Sequence, residues 1–190
     1  CATILAHPID VLRFAAHHLE AGAHRLYLYL DDPGAQVFAP LKAHSKIRVT
    51  RCDHAHWERL GGTRPKKHQV RQSRNATHAY SRAGDVDWLA HIDVDEFLLS
   101  STSIAVALDA LPAPAQCARV RPMEQLAGSG THFKAFVPTG PGRAAITARL
   151  YPTFGTYLTG GFLSHVAGKI FCRTGHPGRS LRIHNMFDGD

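Results

Sequence analysis

Three carboxylates fall within four residues at Asp93, Asp95 and Glu96, between the apolar run Trp88-Leu89-Ala90-His91-Ile92 and a second one, Phe97-Leu98-Leu99. Carboxylates crowded into a half-buried site disfavour one another's ionised form, and the ordinary compensation is a divalent cation with oxygen ligands. Side chains alternate along a strand, so a strand over 88–92 sends Asp93 and Asp95 to the same side of its C-terminal end and Val94 to the other. Magnesium or manganese suits such a set better than zinc. An isolated Asp-x-Asp is more often a solvated loop or a helix cap. Here the apolar segments on both sides favour the cation.

Other residues could serve the same chemistry. Asp31, Asp32 and Asp53 stand at the ends of further expected strands. Each alone fits a turn, but together on one sheet edge they favour a ligand site. Arg71, Arg74 and Lys169 are candidate phosphate partners. Glu124 is the sole carboxylate between Asp109 and Asp188, and that scarcity makes it the candidate general base, with a surface ion pair as the equal alternative. His184, in the alternating stretch Arg182-Ile183-His184-Asn185-Met186, is the candidate imidazole ligand, with His165 as its rival. Two competing functions use different residues. A dinuclear phosphohydrolase would add His54, His56 or His91 to the aspartates, and a nucleic-acid-binding module would use the basic stretch from Arg64 to Arg74 with Trp57 for stacking.

The elements that must position these residues follow from periodicity. Ala2 to Ala6 reads as a strand, and Pro8 opens a helix whose apolar residues Ile9, Leu12, Ala16 and Leu19 recur at helical spacing until Gly22 ends it. Further strands are expected over 25–30, 46–52 and 88–92, with a turn at 31–34, a short helix through Leu41, a loop over 53–65 and a helix over 66–82. Such alternation predicts βαβ units and a parallel sheet, which binds ligands beyond its strand C-termini. In the second half a helix is expected over 103–111, ended by Pro112, and strands over 117–121 and 169–173. No dinucleotide or P-loop glycine signature is present.

The chain of 190 residues, 44% hydrophobic and 19% charged, has an ordinary globular composition. Its formal net charge of +7 points to anionic partners. Four scattered cysteines without a Cys-x-x-Cys pair fit a reducing compartment, and no apolar stretch is long enough to cross a bilayer. A cytoplasmic protein is expected, with the inner membrane face as a place of peripheral association. The chain opens at Cys1 directly in a strand-like run and reads as a piece of something longer.

With these elements in place, the chain resembles a family 2-type glycosyltransferase of the GT-A fold. The resemblance is carried by the opening strand and helix with His17-His18-Leu19, by Leu26-Tyr27-Leu28-Tyr29 with Asp31-Asp32, by Gln72 to Tyr80, and most specifically by Asp87 to Leu98. It implies a Rossmann-like, mostly parallel sheet flanked by helices, in a single glycosyltransferase domain. Residues 1–99 would form the nucleotide-sugar half and 100–190 the acceptor half. It implies transfer of a sugar from a nucleotide-diphosphate donor to an acceptor hydroxyl, with inversion, in glycan or polysaccharide synthesis. Asp93 and Asp95 would hold Mn2+ or Mg2+ with the donor diphosphate, joined by His184 from the far end of the chain. Asp31, Asp32 and Asp53 would contact the nucleoside, Arg71 and Lys169 the phosphates, and Glu124 with Asp95 would make up the catalytic pair. The chain departs from its relatives at Ala6-His7-Pro8 and at Asp31-Asp32-Pro33.

Overall fold

The computed structural model describes residues 1–189. It shows a mixed α/β protein in two units, one formed by residues 1–118 together with the chain from Ile170 onward, the other by residues 119–169. The C-terminal strands thus belong to the first unit.

A three-stranded parallel sheet organises the first unit: β1 (Ala2–Ile4), β2 (Leu26–Leu30) and β3 (Ile47–Arg51), with β2 in the middle. The sequence of β2, Leu-Tyr-Leu-Tyr-Leu, is buried at every position, as a strand covered on both faces requires. Its period of two sorts the residues between two cores. Leu26, Leu28 and Leu30 pack with Val11 and Phe14 of α1 (Pro8–Glu20) and with Leu41 of α2 (Phe38–Ala43). Tyr27 and Tyr29 pack on the other side with Trp57 of α3 (His54–Arg59) and with Ala76, Ala79 and Tyr80 of α4 (His68–Ser81). Pro8 opens α1 as expected, and Gly22, at φ +95°, takes the left-handed conformation just past its end.

Three further strands extend this unit. β4 (Trp88–Ala90) pairs antiparallel with β6 (Lys169–Arg173), Leu89 facing Cys172, in a sheet of order β4-β6-β5 with β5 at Cys117–Val120. α5 (Ile104–Asp109) lies between β4 and β5 in the chain. The N–H of Cys1 donates to the Ala90 carbonyl and the N–H of Ile92 donates to that of Cys1. This is the pattern of a single parallel bridge between Cys1 and His91, which ties the chain just after β4 to the start of β1 on the side away from β2, while the two strands belong to separate sheets.

Elements differ from expectation in three places. The expected loop over 53–65 opens with α3, because Asp53 caps a helix that buries His56 and Trp57. The strand expected over 88–92 stops at Ala90, and the aspartates fall in a turn closed by the Glu96 N–H donating to the Asp93 carbonyl (3.1 Å). The alternation around His184 is no strand end. It is the tip of an antiparallel hairpin between β7 (Arg179–Leu181) and β8 (Met186–Asp188), closed by the Arg182 N–H donating to the Asn185 carbonyl (2.8 Å).

The second unit has little regular structure, as its glycines and prolines foretell. It contains α6 (Arg143–Leu150), two short 3-10 turns and an isolated bridge between Gln125 and Phe133. Phe136 meets Phe162 edge-on and lies under the Arg121 guanidinium.

Candidate functional site

Helix α4 carries the polar groups that shape the site. Its buried residues Arg71, Gln72, Asn75, Ala76, Ala79 and Tyr80 recur at helical spacing, so the inward face is apolar towards its C-terminus and polar towards its N-terminus. The polar part reaches the ends of three strands. Asn75 donates to Thr3 Oγ1 (3.0 Å) and its carbonyl oxygen meets His56 Nε2 (2.8 Å). Arg71 Nε donates to Asp31 (2.9 Å), and Gln72 Nε2 donates to Asp93 Oδ1 (2.6 Å).

Asp93 and Asp95 line one cleft of about 630 Å³, with Thr3, Leu5 and Ala6 at the end of β1, Asp10 and Arg13 of α1, His68 of α4, and Phe97. Its volume is that of a small-molecule site. The turn bearing the aspartates is fixed on each side. Ile92 is hydrogen-bonded to Cys1, Glu96 Oε2 accepts from the Asp93 N–H (3.2 Å), and Val94 and Leu98 pack against the leucine core. Asp95 is exposed on the cleft wall.

The other carboxylates at strand ends have different work. Asp31 is buried with no side-chain exposure, ion-paired to Arg71 (2.9 Å) and Arg64 (3.0 Å), with His68 at 3.9 Å. Arg71 also donates to the carbonyls of Pro65 (3.0 Å) and Lys66 (2.7 Å). Its guanidinium is thereby held inside the protein. Asp32 accepts from the Gly34 N–H (2.9 Å) in a turn, and Asp53 accepts from the His56 N–H (2.9 Å) as the α3 cap. Arg74 is exposed on the outer face of α4. Lys169 is buried at the head of β6.

Glu124 lies in the second unit. One oxygen takes the Lys134 ammonium, and the other accepts from the N–H groups of Leu163 and Ser164 (both 2.8 Å) and from the Ser164 hydroxyl (3.0 Å). Burial pushes the carboxyl up, but the Lys134 ammonium and the Ser164 and Leu163 donors outweigh it and hold it below the ordinary range. His165, in the same unit, accepts the Ala167 N–H (3.2 Å) in a local turn.

Among the described residues no three His, Cys, Asp or Glu side chains converge as a ligand set. His184 is thus not gathered with Asp93 and Asp95, although its neighbour Ile183 lines the cleft. The phosphohydrolase set does not assemble either: His54 pairs with Glu58 on the surface (3.3 Å), while His56 is buried against Asn75. Burial lowers the pKa of His56, and it takes that of His78, bonded to the Tyr29 hydroxyl at 2.7 Å, down to about 4. Trp57 is buried and donates Nε1–H to the Cys52 carbonyl (2.9 Å), so it offers no stacking platform for a base.

Asp93 and Asp95 offer the cleft carboxylate oxygens, the donor type that magnesium and manganese take together with water and phosphate oxygens. Gln72, His68 and Asp10 were missed as site residues. The signal for Gln72 lay in its spacing of four and eight from Ala76 and Tyr80, which puts it on the buried face. No helix among the described residues is long and apolar enough to cross a membrane. Compared with known proteins, the chain matches no family model and no curated sequence.

Proposed function

We propose that this chain is a metal-dependent glycosyltransferase of the GT-A kind, with the nucleotide-diphosphate sugar bound in the cleft of the first unit. The observation that carries the reading is the position of Asp93 and Asp95. The chain runs β1-β2-β3 in one direction, and the segment just after β4 then bridges to Cys1, at the start of β1, on the side away from β2. The chain after β4 thus passes to the side of β1 opposite β2, and α/β proteins bind ligands beyond their strand C-termini where the chain changes sides in this way. The cleft lies there, walled by Leu5 and Ala6 after β1 and by both aspartates after β4.

In this reading Asp93 and Asp95 hold the cation with the donor diphosphate, and Gln72 fixes the Asp93 carboxylate through its amide N–H. The ion, when bound, offsets the negative charge of the departing nucleoside diphosphate. Arg13 and His68, both on the cleft wall, replace Arg71 as the nearest candidate partners of the phosphates. Asp31 acts by holding Arg64 and His68 beside the α4 N-terminus. Transfer to an acceptor hydroxyl with inversion also needs a carboxylate base. Glu124 remains the candidate from the sequence, and to act it must first release one of its four donors.

The test is a thermal-shift screen of nucleoside diphosphates with and without manganese, since a ligand that binds only the folded state raises its stability. A shift that requires both the nucleotide and the metal is expected. Stabilisation by inorganic phosphate alone, or by no nucleotide at all, would overturn the reading.

A further inference from the structure

The turn bearing the aspartates is fastened at its far end by two adjacent histidines of α1. His17 Nε2 lies 2.8 Å from the Leu98 carbonyl oxygen, and His18 Nε2 lies 3.4 Å from the Leu98 nitrogen. His18 Nδ1 lies 2.8 Å from the carbonyl oxygen of Phe14, one turn back on the helix. A carbonyl accepts and an amide N–H donates, so the partners dictate the protons. His17 carries its proton on Nε2. His18 carries its proton on Nδ1 and presents Nε2 as an acceptor, and it can do so only as the neutral ring. Phe97 covers the pair, stacked on His18 at 6.1 Å and 13° and edge-on to His17 at 5.1 Å, while also lining the cleft.

We propose that His18 is a positioning residue for the Asp93–Asp95 site: its neutral ring, by accepting the Leu98 N–H and backing the Phe97 wall, sets the turn that presents both aspartates to the cleft. The proposal rests on the metal–diphosphate reading for its ligand and on the hydrogen bonds alone for the clasp. Protonation of Nε2 would set a donor against the Leu98 N–H and release that end of the turn. The surroundings oppose the charge. His17 on the same helix, and His24 and Arg25 on the wall of a second cavity that His18 and Leu98 also line, carry no negative charge, and the groups that the turn and α5 present there are apolar. Burial first, with His17 adding to it, keeps the His18 pKa below the usual histidine range against the pull of the Phe14 carbonyl.

Two substitutions separate the two ring nitrogens. His18→Asn keeps a donor near the Phe14 carbonyl and removes the acceptor, whereas His18→Gln can bring a carbonyl oxygen to the Nε2 position. The first measurement is amide hydrogen exchange at Leu98 without ligand. Protection at neutral pH should be lost in His18→Asn and kept in His18→Gln, and in the wild type it should fall on acidification while His18→Gln holds it. The second is affinity for manganese with the nucleoside diphosphate found in the screen. A loss of about tenfold or more in His18→Asn, equivalent to about 1.4 kcal/mol, is expected, with His18→Gln within about threefold of wild type. Equal Leu98 protection in wild type and His18→Asn would overturn the clasp whatever the ligand does. Altered protection with unchanged affinity would overturn the positioning role. If the wild type binds no nucleotide with manganese, the functional reading fails and the positioning role with it, while the exchange data still decide the clasp.

Discussion

Asp31 and Asp95 both follow strands of the same unit, and their surroundings could hardly differ more. Asp31 is sealed under Arg71 and Arg64 with none of its side chain exposed, while Asp95 stands exposed on the wall of a cleft. A buried carboxylate must be compensated by the protein itself, because a lone ion in a low-dielectric interior is prohibitively costly. An exposed one on a cleft wall is compensated by water, and a cation can take the place of that water. Position at a strand end therefore does not define a site. The source of the compensating charge does, and in this molecule α4 decides it, turning Arg71 to Asp31 and the neutral Gln72 to Asp93.

The largest expected effect tests the sealed member of that pair. Asp31→Ala leaves the Arg71 guanidinium buried without its counter-charge and should cost about 3–5 kcal/mol, read from chemical denaturation. A cost near that of an ordinary surface change would mean that Arg71 turns outward, and the contrast between the two carboxylates would collapse. Glu124→Gln in the second unit comes next. Losing the charge that holds Lys134 and the Leu163 and Ser164 N–H groups should cost about 1–3 kcal/mol. The same variant sharpens the acceptor side of the reading. A fall in turnover of about a hundredfold or more, with donor affinity kept, assigns the base to Glu124, and a stability loss with turnover intact assigns it to anchoring alone.

A third expectation concerns pH. His18, His56 and His78 are held neutral in the fold, with pKa values lowered from 6.5, that of His78 to about 4. A group whose folded pKa is depressed binds fewer protons folded than unfolded, so its contribution is complete above 6.5 and is lost as pH falls towards the folded value. The denaturation midpoint should drop steadily as pH is lowered from 6.5 to about 4. His78→Gln should flatten part of that slope, and an unchanged slope would remove His78 from the cause.

Much of the first unit was legible because its elements are locally consistent. Leu26 to Leu30 alternates between two cores, Pro8 and Gly22 bracket α1, and the acids after β4 do reach a cleft. What was not legible depends on tertiary partners. Asp53 reads equally well as a ligand or a helix cap until α3 is seen to bury His56 and Trp57. Arg71 reads as a surface phosphate binder because nothing local signals that Asp31 lies opposite it, 40 residues earlier in the chain. The stretch around His184 reads as a strand end because a two-residue hairpin tip between β7 and β8 shows the same polar–apolar alternation. The clasp of His17 and His18 on Leu98 links residues about 80 apart and leaves no periodic trace.

Asp95→Ala has the smallest expected effect on stability, within about 0.5 kcal/mol, because an exposed carboxylate contributes little to the fold. It is also the most direct test of the central claim. Calorimetric titration of the manganese–nucleoside diphosphate pair into wild type, Asp95→Ala and Glu58→Ala would compare the cleft carboxylate with a surface one paired to His54. Binding should be lost in Asp95→Ala and kept in Glu58→Ala. Binding that survives Asp95→Ala undiminished would contradict the central claim.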